Sequence, residues 1–143
     1  MNNSQTEGAI TEQKCFLKCL EMGYQVSKPL FDNARYDFIL DVNDKLLKIQ
    51  IKTSRWKDDK KEAFIFNCYS QHSTGNGNKR LKYTKKEIDY FMTEKDGLFY
   101  LVPAPEKGVS MKTLRIVEPK TGYNKNNTSF AKDFLFEDII SNI

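Results

Sequence analysis

The sequence predicts a mixed α/β fold that combines a largely antiparallel sheet with flanking helices. Residues 45–54 alternate between apolar and polar side chains, which is typical of a strand with one buried face. Residues 7–22 and 129–140 instead have the apolar content and end signals of helices. Helices do not separate every pair of predicted strands, and this excludes a doubly wound parallel sheet.

Composition restricts the class of protein further. The chain has 143 residues, of which 29% are charged, 39% hydrophobic and 13% aromatic, so residues 1–143 are expected to form one well-cored domain. No segment approaches the roughly 18–20 apolar residues of a membrane span, and residues 1–11 lack a signal-peptide apolar region. The missing apolar segment predicts that the protein has no membrane partner. The three cysteines include no CxxC pair, which indicates reduced thiols in a cytoplasmic protein.

The first half of the chain predicts a helix followed by three strands. The helix ends at Gly23 and is expected to bury Phe16, Leu17 and Leu20. Asn43 and Asp44 form a turn that joins two strands as a hairpin. The predicted ranges are 7–22 for the helix and 24–28, 36–42 and 45–54 for the strands.

The second half predicts a mixture of strands, a loop and two helices. Thr84 has Glu87 three residues later, the spacing of a helix capping box. The segment SQHSTGNGN contains two glycines and reads as a loop. The predicted ranges are 62–70 (strand), 70–78 (loop), 84–92 (helix), 97–103 (buried strand), 113–117 (edge strand) and 129–140 (last helix).

Charge is distributed unevenly along the chain. Residues 45–86 contain twelve Lys and Arg against three acidic residues, a net charge of +9. The rest of the chain contains eleven basic and sixteen acidic residues, a net charge of −5. A basic middle segment is typical of a polyanion-binding surface, although a lysine-rich solvated surface explains the charge equally well.

A small set of polar residues has the chemistry of a hydrolytic metal site. Asp37 begins an otherwise apolar strand and can lie beside Gln50 and Lys52, which share one face of the next strand. Glu12 lies on the same helical stripe as Phe16, although simple stabilisation of the helix N-terminus also explains this carboxylate. Two carboxylates and an amide oxygen can hold Mg²⁺, with Mn²⁺ as a substitute, and a nearby lysine completes the requirements of phosphodiester hydrolysis.

These residues resemble a known family. Asp37, the run Gln50-Ile51-Lys52 and Glu12 on the preceding helix look like the motif of PD-(D/E)XK nucleases in the restriction-endonuclease-like superfamily. An ordered series of further segments resembles the branch with a bacterial group I intron-encoded homing endonuclease, and the N-terminal half is similar to archaeal Holliday-junction resolvases. The matching segments are Gly23-Tyr24-Gln25-Val26, Pro29, Asn33-Ala34-Arg35-Tyr36, Ile88-Asp89-Tyr90-Phe91 and Tyr100-Leu101-Val102-Pro103.

The resemblance implies a restriction-endonuclease-like αβββαβ core with a mixed central sheet flanked by helices, plus a C-terminal strand and helix. It also implies metal-dependent cleavage of a double-stranded DNA target site by a homodimer or homotetramer. Asp37 would be the central metal ligand, Glu12 a second carboxylate, Gln50 a further ligand and Lys52 the motif lysine. Gln50 stands where the superfamily has an acid, which weakens the negative field of the site, and Tyr36 stands where the motif name has Pro.

Basic and polar residues of the middle segment are candidates for DNA contacts. His72 is expected to be a surface or DNA-contact residue rather than a general base, and Trp56 either contacts DNA or anchors a strand end. Residues 123–127 read as an exposed loop near the DNA. The candidates for DNA binding are Arg55, Lys57, Lys60, Lys61, His72, Asn76, Asn78, Lys79, Arg80, Lys82, Lys85 and Lys86.

Three functions are compatible with the sequence. The leading prediction is a site-specific homing endonuclease that hydrolyses double-stranded DNA. A Holliday-junction resolvase-like nuclease is the alternative within the same class. A catalytically weak DNA-binding module is the alternative outside it, because Gln50 removes one acid from the site.

Overall fold

The structure is a computed structural model that describes residues 3–118 and 128–143. The predicted loop at 123–127 lies outside the described residues. Two α-helices, a short 3₁₀ helix and ten strands are found within the described ranges. Their bounds are α1 (Asn3–Glu21), β1 (Gln25–Ser27), β2 (Phe38–Val42), β3 (Lys45–Ile51), β4 (Arg55–Trp56), β5 (Ala63–Asn67), β6 (Tyr69–Thr74), β7 (Gly77–Lys82), β8 (Tyr90–Lys95), β9 (Leu98–Pro103), β10 (Met111–Arg115), the 3₁₀ helix (Ala131–Phe134) and α2 (Phe136–Ser141).

The central sheet has five strands in the order β1-β2-β3-β8-β9. β1, β2 and β3 are antiparallel neighbours, β3 and β8 are parallel, and β8 and β9 are antiparallel. The turn between β2 and β3 has positive φ angles at Asn43 (49°) and Asp44 (63°). Two positive φ angles are the geometry whose twist matches a tight hairpin. The mixed central sheet and the predicted hairpin are therefore confirmed.

Helices α1 and α2 cover one face of the central sheet. Cys15, Phe16 and Cys19 of α1 are buried, whereas Leu17 and Leu20 are 55% and 61% exposed. The prediction that Leu17 and Leu20 face the core is therefore wrong, because two small thiols and one aromatic ring supply the buried stripe. The remaining members of this core are Phe38, Leu40, Val42, Ile49, Ile51, Met92, Leu101, Phe136 and Ile140.

A small antiparallel sheet, in the order β10-β5-β4, is associated with a second core on the strands β8 and β9. Its β10 is the edge strand predicted near residue 113, and it pairs with β5. Trp56 packs edge-to-face on Phe64 with ring centroids 6.3 Å apart, which favours its role as an anchor of the strand end. The buried residues of this second core are Phe64, Phe66, Cys68, Tyr83, Ile88, Phe91, Tyr100, Val102, Ala104, Leu114 and Ala131.

The predicted helix at 84–92 is wrong. The capping residue Thr84 forms a single turn, in which its carbonyl accepts hydrogen bonds from the Glu87 and Ile88 N–H groups at 3.0 and 3.2 Å. The chain then enters β8, where Phe91 and Met92 are both buried. Adjacent residues on a strand face opposite sides of the sheet, so burial on both sides favours the strand over a one-sided helix.

The predicted loop at 70–78 is also wrong, because β6 and β7 form a two-stranded antiparallel sheet of their own. The predicted last helix is interrupted at Leu135, which has an extended ψ of 133° and forms a bridge with Tyr100. In the described part of the chain no helix is long and apolar enough to cross a membrane.

Candidate active site

Asp37 is fixed against β3 by its backbone and its side chain. Its N–H donates to the Ile49 carbonyl at 2.8 Å, and its Oδ2 accepts the Ile51 N–H at 2.7 Å. The β2–β3 register, which pairs Phe38 with Ile49, places Asp37 opposite Gln50 when continued by one residue. The juxtaposition of Asp37 and Gln50 that the sequence suggested is thus present in the fold.

The surroundings of Asp37 raise the pKa of its carboxyl group. Burial is the main cause, because it disfavours the charged form, and the nearby carboxylate of Glu12 acts in the same direction. The Ile51 hydrogen bond and the positive charges of Lys52 and Lys28 oppose this shift. A further cation beside Asp37 would therefore stabilise its ionised form.

Glu12 and Asp37 line one cavity of about 320 Å³, which we call the acidic cavity. The Glu12 side chain is 39% exposed, and its Oε1 lies 3.9 Å from the Lys28 Nζ. Glu12 and Asp37 therefore face the same cavity, where Glu12 is paired with Lys28. Tyr36, Phe31 and Asp32 also line the acidic cavity.

Lys52 follows the last residue of β3, and its backbone N–H donates to the Met92 carbonyl at 2.9 Å. Its Nζ donates to the Tyr69 carbonyl at 2.7 Å and lies 5.1 Å from the centroid of the Tyr83 ring. Burial lowers the pKa of the Lys52 ammonium, and the negative charge of Asp37 partly opposes that shift. Lys52 is therefore a restrained, shielded cation that is electrostatically coupled to Asp37.

The donor set fits a hard divalent cation. Glu12 and Asp37 supply carboxylate oxygens, and Gln50 can supply an amide oxygen, all of which suit Mg²⁺. Among residues 3–118 and 128–143, no three His, Cys, Asp or Glu side chains are grouped closely enough to hold a metal ion. Because the third residue of this donor set, Gln50, is uncharged, a metal bound by the set would be held by two carboxylates and neutral ligands.

Strands β6 and β7, residues 69–82, form an exposed hairpin that we call the ribbon. Its register pairs Gln71 with Arg80, His72 with Lys79 and Ser73 with Asn78. Residues 71–80 are all exposed. Six of the predicted DNA-binding residues lie on the ribbon or its turn: His72, Asn76, Asn78, Lys79, Arg80 and Lys82.

The other predicted DNA-binding residues lie outside the ribbon. Arg55 is on β4 and donates to the Asn67 Oδ1 at 3.3 Å. Lys85 forms an ion pair of 3.1 Å with Glu106, so its charge is already partly neutralised. The exposed residues Lys57, Lys60 and Lys61 lie between β4 and β5, and Lys86 lies in the turn before β8.

An open groove of about 480 Å³ runs between the ribbon, the end of β3 and the start of α1. Lys52, Arg55 and Tyr69 line it, together with Gln71 of the ribbon. The groove therefore joins the motif lysine to the exposed hairpin.

Arg35 was not identified from the sequence as a site residue, yet it holds the ribbon in place. Its Nε pairs with Glu87 at 2.6 Å, and its guanidinium carbon lies 3.8 Å from the centroid of the Tyr83 ring. Its terminal nitrogens donate to the Ser70 hydroxyl and to the carbonyls of residues 81 and 82 at 2.5, 3.2 and 3.0 Å. Only its position two residues before Asp37 could have drawn attention to it.

Comparisons with known proteins identify the family and a solved structure with a similar fold. The family model described as PD-(D/E)XK endonuclease matches residues 2–137. Among solved structures, the chain is similar to the bacterial homing endonuclease I-Ssp6803I, with 21% sequence identity and a TM-score of 0.75 over 99% of this chain and 95% of that chain. At this identity the likeness shows a shared fold. No curated protein matches the sequence.

Proposed function

The chain belongs to the PD-(D/E)XK endonuclease family, and from this premise we propose that it is a site-specific, metal-dependent homing endonuclease acting on double-stranded DNA. One observation carries the proposal. Asp37 is fixed to β3 by two hydrogen bonds, shares a cavity with Glu12 and is electrostatically coupled to Lys52. This arrangement supports the predicted roles of all three residues in a single site.

Asp37, Glu12 and Gln50 would hold Mg²⁺, with Mn²⁺ as a substitute. When bound, such an ion polarises a phosphate and lowers the pKa of a coordinated water. Lys52 supplies positive charge beside the site, where it would stabilise the charge that develops on the phosphate. Its hydrogen bond to the Tyr69 carbonyl restricts where this ammonium group can lie.

The ribbon is proposed to read the DNA sequence. A two-stranded ribbon fits the major groove of B-DNA, which is about 12 Å wide. Directly paired residues share a face of such a ribbon, so Gln71, Arg80, Ser73 and Asn78 lie on one face. Arginine and amide side chains recognise guanine and adenine edges respectively, and the surrounding lysines would contact phosphates.

Residues 1–143 would form one nuclease domain that works in the cytoplasm. A homodimer or homotetramer would bind the target, because one chain of this size covers only part of a long DNA site. Insertion of a group I intron would be the biological context of a homing activity.

A weak DNA-binding module is the second candidate, and Gln50 is the observation that favours it. Replacing an acid by an amide removes a negative charge from a metal site, and this lowers the attraction for the cation. The two candidates differ in whether the protein cuts the DNA that it binds.

The test is cleavage of a plasmid that carries the intron-less target site, with Mg²⁺ present. We expect discrete fragments from the native chain, and binding without cleavage from Asp37→Ala and Lys52→Ala. Lys48→Ala is the matched control, because Lys48 is an exposed lysine on the same strand as Gln50. Normal cleavage by either site variant would refute the placement of the active site.

Two further substrates separate the alternatives. Symmetrical nicking of a four-way junction without duplex cleavage would identify a resolvase instead. Binding without cleavage of any DNA in Mg²⁺ or Mn²⁺ would identify the binding module.

The sequence-reading role of the ribbon is tested separately by binding at one salt concentration. Arg80→Ala is expected to lower affinity for the target by about 1–3 kcal/mol while leaving non-specific affinity nearly unchanged. Lys60→Ala should weaken binding to all sequences alike and reduce the salt dependence. Equal losses on target and random DNA with Arg80→Ala would contradict base recognition by that residue.

A further inference from the structure

Lys28 lines the acidic cavity and is not part of the family motif. It directly follows β1, and its side chain is 56% exposed. Its Nζ lies 3.9 Å from the Glu12 Oε1 and 4.1 Å from the centroid of the Phe16 ring. The ammonium group therefore has two attractive partners, one anionic and one aromatic.

The same ammonium group also acts on Asp37. Lys28 lines the acidic cavity together with Glu12 and Asp37, and its charge favours the ionised form of Asp37. A protein cation thus lines the same cavity as these carboxylates and is paired with one of them, Glu12. Glu12, Asp32 and Asp37 all line the acidic cavity, and their carboxylates would otherwise repel one another.

We propose that Lys28 is a built-in counter-ion that competes with the divalent metal for Glu12. This inference rests on the proposed metal site and adds a residue that sets its affinity. Before metal binding, Lys28 neutralises Glu12 and holds it at the cavity. When the metal binds, Lys28 leaves Glu12 and remains over the Phe16 ring.

The local structure allows this exchange. Phe16 is itself buried against Phe38, with ring centroids 5.1 Å apart, so it forms a fixed platform. Lys28 is half-exposed and has four rotatable bonds in its side chain, so its ammonium can move away from Glu12 and stay over the Phe16 ring without a change in the backbone. Glu12 is also partly exposed and can turn towards an incoming ion.

The experiment is titration of the full-length protein with Mn²⁺ in the absence of DNA, with free Mn²⁺ followed by electron paramagnetic resonance. Asp37→Ala identifies the binding that belongs to the acidic cavity. Lys28→Met is expected to bind Mn²⁺ about two- to five-fold more tightly, because loss of an exposed ion pair frees Glu12. Lys28→Arg keeps the charge and should stay within about two-fold of the native affinity.

Lys14→Met is the matched control for loss of a positive charge. Lys14 lies on α1, and its side chain is 51% exposed, close to the 56% of Lys28. It pairs with Glu94 at 3.5 Å and does not line the acidic cavity. The affinity of the Lys14→Met variant for Mn²⁺ should stay within about two-fold of the native affinity. If Lys14→Met bound Mn²⁺ more tightly than the native chain and as tightly as Lys28→Met, the proposal would be overturned, because the change in net charge alone would then explain the effect.

The remaining outcomes separate this inference from the function on which it rests. If the native chain shows Asp37-dependent Mn²⁺ binding and Lys28→Met binds equally or more weakly, the competition is refuted while the metal site stands. If the native chain shows no Asp37-dependent binding, the proposed metal site fails and the role of Lys28 fails with it.

Discussion

Replacement of Arg35 by alanine is expected to destabilise the protein and to release the ribbon. The side chain is 25% exposed and that of its partner Glu87 is 33% exposed. The substitution removes the ion pair with Glu87, the hydrogen bond to the Ser70 hydroxyl and the stacking on Tyr83. It also leaves two carbonyl groups, at residues 81 and 82, without the donor they have in the native protein.

The cost follows from these contacts. Removing one partner of a buried ion pair costs about 3–5 kcal/mol, and an exposed pair contributes about 0–1 kcal/mol. The pair between Arg35 and Glu87 is intermediate in exposure, so its loss should cost an amount between the values for exposed and buried pairs. The additional hydrogen bonds of Arg35 place the expected cost nearer to the value for a buried pair. We therefore expect Arg35→Ala to lower the free energy of unfolding by about 3 kcal/mol. A chain of this size would then melt about 6–12 °C lower.

Urea unfolding followed by circular dichroism measures the change. Arg55→Ala is the control, because Arg55 is exposed and has one long hydrogen bond of 3.3 Å; it should cost less than about 1 kcal/mol. Arg35→Lys should be intermediate, since lysine keeps the charge and loses the forked geometry. A loss below about 1 kcal/mol for Arg35→Ala would refute the view that this residue anchors the ribbon.

Two further predictions concern stability. Because the pKa of Asp37 is raised by folding, its ionised form opposes folding at pH values above that pKa, and the cost disappears as the pH falls through it. Asp37→Asn should therefore raise the melting temperature at pH 8 in EDTA, and the gain should shrink in acid; a gain that is equal at both pH values would contradict this reasoning. Asp44, at a φ of 63°, occupies a turn position that favours glycine. A left-handed conformation costs a non-glycine residue up to about 1–2 kcal/mol, and the larger conformational entropy that glycine loses on folding offsets part of this gain. Asp44→Gly should therefore add about 0.5 kcal/mol to the free energy of unfolding in urea, and a loss of stability would show that the Asp side chain has another role.

Local patterns were sufficient to predict much of the central sheet. The alternation in residues 45–54 and the Asn43-Asp44 turn together determine the hairpin of β2 and β3, and both signals are contained within a few residues. The helix prediction for residues 84–92 was wrong because the capping-box spacing of Thr84 and Glu87 is also compatible with a single turn. Burial on both sides of β8 depends on α1 and on the small sheet, neither of which is local to that segment.

The candidate site likewise combines features that local sequence patterns predict with contacts between distant residues that they do not predict. Parity along β3 and the known motif place Asp37 opposite Gln50, and the register agrees. The contacts that restrain Lys52 and the ribbon join residues 17 to 52 positions apart in the chain. Arg35 and the Tyr69 carbonyl could not be identified from the sequence, because no periodic pattern specifies a hydrogen bond between such distant residues.

The hydrogen bond between the Lys52 ammonium and the Tyr69 carbonyl would link DNA recognition to cleavage under the proposed function. Tyr69 is the first residue of the ribbon, which would read the bases. Its carbonyl oxygen accepts the hydrogen bond of Lys52, the cation that would assist the chemistry. A DNA sequence that twisted the ribbon would also displace the acceptor of Lys52. Discrimination between correct and incorrect sites would then arise in the rate of strand cleavage as well as in the strength of binding.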